Sequence, residues 1–160
     1  MADIPEVGDY FKLRVEQTKE GLFNMIQKRY VELAPQTAED SPPEKFLLIE
    51  LLIALPVEAL IIPQAQINSQ DVSCRVDFLL KYPHRRNTLI VECDGYRHQN
   101  DYHVIKADKG RDRKLLVNNF PYILRYTGDE IVYHGAVCAQ EIKKVFYDYV
   151  INEGRGNIVV

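Results

Sequence analysis

The chain has 160 residues, 46% of them hydrophobic, and a net charge of −3. That length suits one domain with a real core, and no run approaches the roughly 18 apolar residues that a membrane helix needs. The mild acidity gives no global signal for nucleic acid, so any such binding has to come from a local basic patch.

The start at Met1 lacks the basic segment followed by an apolar one that marks a secretory signal. Cys74, Cys93 and Cys138 are an odd set with no CxxC pair, which favours a reducing cytosol over a disulfide framework. The expected location is cytoplasmic.

Residues 6–33 carry apolar side chains at near-helical spacing, among them Phe11, Val15, Leu22, Met25, Ile26, Tyr30 and Leu33. A linker rich in Pro, Thr, Ser and acids follows over 35–43. Ser41 can cap a second helix, Pro42 suits its first position, and Glu44 falls three residues after the cap. This helix ends near Pro56 and is apolar almost all round, so it is expected to be buried.

Three strands follow, over 59–67, 73–82 and 88–94. Pro63 argues for an edge or a bulge in the first. Residues 68–71 make one turn, and the turn at 83–87 is short enough for an antiparallel pair. Residues 106–119 form a basic helix stopped by Pro121. A fourth strand spans 122–127, with Gly128-Asp129 as its turn, and an amphipathic helix covers 136–151. The order suits an α/β fold, a mixed sheet flanked by helices. The expected organisation is an N-terminal helix and linker over 1–40, a catalytic-type domain over 41–153, and a tail over 154–160.

The chemistry concentrates in 88–98, Thr-Leu-Ile-Val-Glu-Cys-Asp-Gly-Tyr-Arg-His. Side chains alternate along a strand. Leu89, Val91 and Cys93 therefore share one face, and Ile90, Glu92 and Asp94 the other. Two carboxylates ending an apolar strand are costly to bury unless something positive lies between them. A divalent cation is the usual answer. Asp77 is an acid in mid-strand, where acids are disfavoured, and is expected on one face with Arg75 and Leu79. Pairing across 83–87 brings Asp77 near Glu92 and Asp94. Three such carboxylates make a hard-cation site for Mg²⁺ or Mn²⁺, and a metal there can activate water and stabilise charge on phosphate.

Asp77, then Glu92-Cys93-Asp94-Gly95 with His98, resembles the PD-(D/E)XK nuclease superfamily. More narrowly, the chain is similar to the branch related to very-short-patch-repair endonucleases. Ser41-Pro42-Pro43-Glu44 matches that branch's capped helix with a Glu, and Asp77-Phe78 its Asp-Phe strand. Arg111-Asp112 matches its Arg-Asp helix, and Tyr122-Ile123-Leu124-Arg125-Tyr126 its last strand. The resemblance covers about residues 41–149.

It implies a restriction-endonuclease-like core, α-βββ-α-β-α around a mixed four-stranded sheet, with the N-terminal helix as an addition. The implied activity is Mg²⁺-dependent cleavage of DNA phosphodiester bonds, in repair, restriction or defence against phage and mobile elements. Asp77, Glu92 and Asp94 would hold the metal, with Glu44 reaching in. Arg97, Lys106, Arg111, Lys114 and Arg125 would meet DNA. One departure is Asp94, which stands where the wider superfamily has a lysine, although the narrower branch often shows the same Asp. The general base is therefore open. His98 is the candidate, since a neutral imidazole takes a proton near pH 7, and Lys106 could replace the missing cation.

Plainer readings stand beside these. Glu44 fits a capping box, Asp77 an ion pair with Arg75 or Arg97, His98 a loop histidine, and the basic run a solvated helix face. Cys93, His98 and His103 match no common zinc spacing. The competing functions are a nucleic-acid-binding module that has lost the chemistry, and an interaction subunit that uses the long first helix. The expected partner is DNA. A homodimer or partner subunit would serve double-strand cutting, and no membrane is involved.

Overall fold

The first helix, α1, spans Val7–Leu33 and turns through a short 3-10 segment, Ala34–Gln36, before α2 at Pro42–Ala54. Three strands follow: β1 Leu60–Asn68, β2 Ser73–Lys81 and β3 Leu89–Asp94. Then come α3 Tyr102–Val117, β4 Ile123–Thr127 and α4 Gly128–Val145, which passes into a π-helical segment, Phe146–Ile151. This is a computed structural model describing residues 7–69, 72–94, 102–118, 120 and 122–153, without the side chains of 7–11 and 102–109.

The four strands form one mixed sheet in the order β1-β2-β3-β4. The first two pairings are antiparallel and β3 pairs β4 in parallel. A parallel pair needs a long crossover, and α3 supplies it. Pro63 lies in β1, which is an edge strand as its missing N–H requires.

Apolar side chains leave the sheet on both sides. On one side Phe78, Leu80, Leu89 and Val91 meet Leu47, Leu48 and Leu51 of α2 and Ile131 and Ile142 of α4. On the other, Leu79 and Ile90 pack with Leu115 of α3. β3 is thus covered on both faces and reads as a continuous apolar run, as a central strand should. The expected alternation of β3 holds: Val91 and Cys93 belong to the first core, and Ile90 to the second.

The hairpin β1–β2 departs from simple alternation. Phe78 and Leu80 point into the first core, yet Val76 and Cys74, of the same parity, pack with the second. Ile61 and Ala65 switch in the same way. The switch falls at Gln64, whose φ of 48° is in the left-handed region. The ladder runs from the Pro63–Phe78 pair to Ala65–Val76 and omits Gln64 and Asp77 between them. Arg75 and Leu79 therefore do not share a face as the sequence suggests, and Asp77 sits at the crossing point.

Other corrections concern ends. The helix α3 begins four residues before the expected start. The expected turn at Gly128-Asp129 is instead the first turn of α4. A capping box explains it: Thr127 Oγ1 accepts from the Glu130 N–H, and the Glu130 carboxylate accepts from the Thr127 N–H at 2.7 Å. The break falls later, at His134, whose φ and ψ of −137° and 27° are not helical. Gly135 follows it, where a Cβ would come within 3.2 Å of Glu50 Cγ on α2.

The last third of α1 rests on the first core through Ile26, Tyr30 and Leu33, and Arg29 donates to the Ala59 carbonyl at 2.9 Å. Among the described residues no helix is long and apolar enough to cross a membrane, and Cys74, Cys93 and Cys138 are free thiols.

Candidate active site

Glu92 follows three fully buried residues, Leu89, Ile90 and Val91, and is itself only 6% exposed. Its Oε1 lies 3.3 Å from Arg111 Nη2 of α3, but the approach is not aligned for a hydrogen bond, and among the described residues Oε1 has no hydrogen-bond partner. Burial pushes the Glu92 carboxyl up to about 7; Arg111 opposes this, and the negative charge of Asp77 adds to it. The Glu92 carboxyl is therefore poised near neutral pH.

Asp77 lies one position beyond the Phe78–Val91 pair, the last recorded bridge between β2 and β3 toward this end. Its Oδ2 accepts from the backbone N–H of Cys93 at 2.7 Å, and its Oδ1 from Gln64 Nε2 at 3.3 Å. It forms no ion pair with Arg75 among the described residues. Because Asp77 bonds to the residue after Glu92, the two strands tie the two acids together where regular pairing stops.

Glu44 enters from the first turn of α2 and is 4% exposed. It does not close a capping box on Ser41, whose side chain makes no cap hydrogen bond. Its Oε2 accepts instead from the Ala38 N–H at 2.9 Å and from Gln64 Nε2 at 2.8 Å. The positive end of the helix dipole also favours an anion in that turn. Glu44, Gln64, Asp77 and the Cys93 amide thus form one chain of contacts from α2 through β1 and β2 to β3.

Asp94 belongs to a second network. Arg125, opposite Glu92 in the parallel β3–β4 register, donates to Asp94 Oδ1 at 3.1 Å and to Asp112 Oδ1 at 2.7 Å. Its guanidinium is a clamp between a strand and α3, with both arms on carboxylates. The Cys93 thiol is pushed upward by burial and then by Asp77 and Glu44, so it stays protonated and unreactive.

The basic positions of α3 also separate. Arg111 turns inward to Glu92, whereas Lys114 is exposed and lines, with Gly110, Arg113, Val117 and Asn118, a groove of about 480 Å³ on the outer side of α3. Arg97 and His98 lie outside the described residues, as does the side chain of Lys106.

The sequence-predicted acids therefore meet at one end of the sheet without merging. Among the described residues no group of three or more His, Cys, Asp or Glu side chains is gathered so as to hold a metal ion. The donor chemistry of two of them still fits a hard cation. Asp77 and Glu92 offer carboxylate oxygens on adjacent strands, the Asp77 charge raises the cost of ionising Glu92, and Glu92 Oε1 is a buried carboxylate oxygen without a hydrogen bond among the described residues.

Two participants escape a reading of the sequence, Gln64 and Asp112. Gln64 follows Pro63, a bulge signal, and pairing the hairpin about its 69–72 turn would have set it opposite Asp77. Asp112 was visible only as half of the Arg111-Asp112 pair. Comparison with protein-family models, with characterised proteins and with solved structures finds no match, so the meaning of the site rests on its own chemistry.

Proposed function

We infer that the chain is a metal-dependent endonuclease with a restriction-endonuclease-like core that hydrolyses DNA phosphodiester bonds. The observation that carries this is the pair Asp77 and Glu92, on neighbouring strands, with a buried carboxylate oxygen of Glu92 left without a hydrogen bond among the described residues. The order of elements and the mixed sheet, three antiparallel strands and a parallel fourth reached through a helix, agree with that core.

Asp77 and Glu92 would hold Mg²⁺ or Mn²⁺, with Asp94 beside them. When bound, the cation stabilises charge on the phosphate and lowers the pKa of a coordinated water. The chain's own residues do the rest. Arg111 holds the Glu92 carboxylate in place, and Arg125 fixes the end of β3 against α3 through Asp94 and Asp112. Lys114, with Arg113, presents positive charge to a DNA backbone, the contact that positions but does not specify. Arg97 and Lys106 are proposed as further phosphate contacts, and His98 as the group that takes the proton of the attacking water.

The test is nicking of supercoiled plasmid in Mg²⁺ by wild type and Asp77→Ala. We expect wild type to nick and the variant to lose at least about a hundredfold, as removal of metal ligands or their supports commonly does. Equal rates would sink the reading.

A second reading is a DNA-binding module without chemistry. The observation in its favour is that Arg111 and Arg125 already neutralise Glu92 and Asp94 from within. It requires salt-sensitive DNA binding with no cleavage in Mg²⁺ or Mn²⁺, so nicking that Glu92→Ala abolishes would rule it out.

A further inference from the structure

We propose that the turn between β2 and β3, together with Tyr122, binds single-stranded DNA; from the reading above this takes only that the partner is DNA, and it needs no metal. The turn reads Tyr82-Pro83-His84-Arg85-Arg86-Asn87, and Lys81 closes β2 just before it. His84, Arg85 and Arg86 are all exposed. In a chain with a net charge of −3, this is a local basic patch of the kind that nucleic acid requires. The turn precedes β3, whereas Glu92 and Asp94 end it, and a strand of six residues spans about 20 Å. The patch is therefore separate from the acids.

The backbone holds these charges in a fixed arrangement. The Arg85 N–H donates to the Tyr82 carbonyl at 3.1 Å. Pro83 stands second and His84, with a φ of 61°, third, as in a type II turn. The Arg86 N–H donates to Glu153 Oε1 at 3.3 Å, and Asn87 Nδ2 donates to the Tyr149 carbonyl at 2.9 Å. Glu153 anchors the backbone more than it neutralises the side chains. Its Oε2 is 3.9 Å from Arg85 Nη1, too far for a hydrogen bond, and among the described residues the Arg86 guanidinium meets no carboxylate. The same end of the sheet carries an aromatic pair. The Tyr149 ring lies 4.3 Å from that of Tyr122 at 54°. The Tyr122 carbonyl accepts from the Ile90 N–H at 3.2 Å, and its residue is 45% exposed. A ring backed by another and half open to solvent is a surface for a base. Proteins hold single strands in this way, with aromatic rings under the bases and cations along the phosphates. The bases of a duplex stack on one another and are closed to such a ring, so the occupant is an unpaired strand.

The test is fluorescence anisotropy in EDTA with a labelled oligo(dT) of about 20 nucleotides, long enough for one such site, and with a duplex of the same length. The proteins are full-length wild type, Arg85→Gln with Arg86→Gln, Tyr122→Leu, Tyr122→Phe, and Arg113→Gln with Lys114→Gln, each checked for folding by thermal melts. The glutamines keep the backbone bonds to Tyr82 and Glu153, so a loss reports the charges. We expect wild type to bind oligo(dT), and the Arg85/Arg86 variant to bind it at least about tenfold more weakly, with a salt slope smaller by about 1.4 for two phosphate contacts. Tyr122→Leu should weaken oligo(dT) binding about fivefold or more without changing duplex binding, and Tyr122→Phe should match wild type. Failure of wild type to bind oligo(dT), or equal binding by the Arg85/Arg86 variant, would overturn the proposal. If Arg113→Gln with Lys114→Gln then weakens duplex binding, the DNA reading stands without this site. Loss in the Arg85/Arg86 variant with none in Tyr122→Leu would overturn the assignment to a single strand.

Discussion

Glu92 is the residue at which stability and chemistry oppose each other. Its carboxyl is ordinary in the unfolded chain and is pushed up to about 7 when folded, mainly by burial. Between these values the folded state holds a proton that the unfolded state has released. Stability of the metal-free protein therefore falls as pH rises from about 4.5 to 7 and is flat above that. Glu92→Gln removes the titration while keeping the shape. We expect it to stabilise the metal-free protein by about 3 kcal/mol at pH 8, the linkage value of a carboxyl raised from 4.5 to about 7. The gain should shrink to near zero by pH 4, in urea melts across that range. A gain independent of pH would mean that Glu92 is not the titrating group. Of the site, Asp77, Glu92 and Asp94 were legible because acids are rare in apolar strands. The division of labour among them was not, because it depends on Arg111 and Arg125 arriving from α3 and β4, and on Gln64, which the sequence marks only by the preceding Pro63 and its place opposite Asp77 in the hairpin.

At the scale of elements, local chemistry decided most boundaries and explains the misses. The strands were legible from apolar runs and turn residues. The start of α4 was misread because Gly128-Asp129 is a strong turn signal, while the capping box depends on Thr127 and Glu130 flanking it. Thr127→Ala should cost about 1 kcal/mol, the usual value of such a cap, measured by equilibrium urea unfolding. Loss of Thr127 with no change would show that α4 is held by its core contacts alone. The α1 helix offers a second contrast. Ile26 packs on the first core, whereas Phe23, one turn earlier, is 65% exposed. Ile26→Ala should cost about 1–2 kcal/mol, less than a fully buried site, and Phe23→Ala should stay within about 0.5 kcal/mol. Equal costs would place more of α1 in contact with the core than Ile26, Tyr30 and Leu33.

For the whole molecule, the fold brings β2, β3 and β4 together so that residues from Glu44 to Arg125 converge at one end of the sheet. The mixed sheet between helices could be read from the order of elements. The switch of faces in the β1–β2 hairpin could not, because it stems from one backbone angle at Gln64. Among the described residues the convergence leaves a buried carboxylate oxygen without a hydrogen bond, a costly arrangement for an ordinary domain. A divalent cation would relieve it, and the same cation would equip the site to act on phosphate. The most direct measurement is calorimetric titration of Mn²⁺ into wild type and Glu92→Gln at pH 8, where the variant is expected to be the more stable protein. The expected result is saturable binding to wild type that Glu92→Gln weakens by at least about a hundredfold. Equal binding by the two, or none by wild type at millimolar Mn²⁺, would contradict it and leave the acids as an internal ion network.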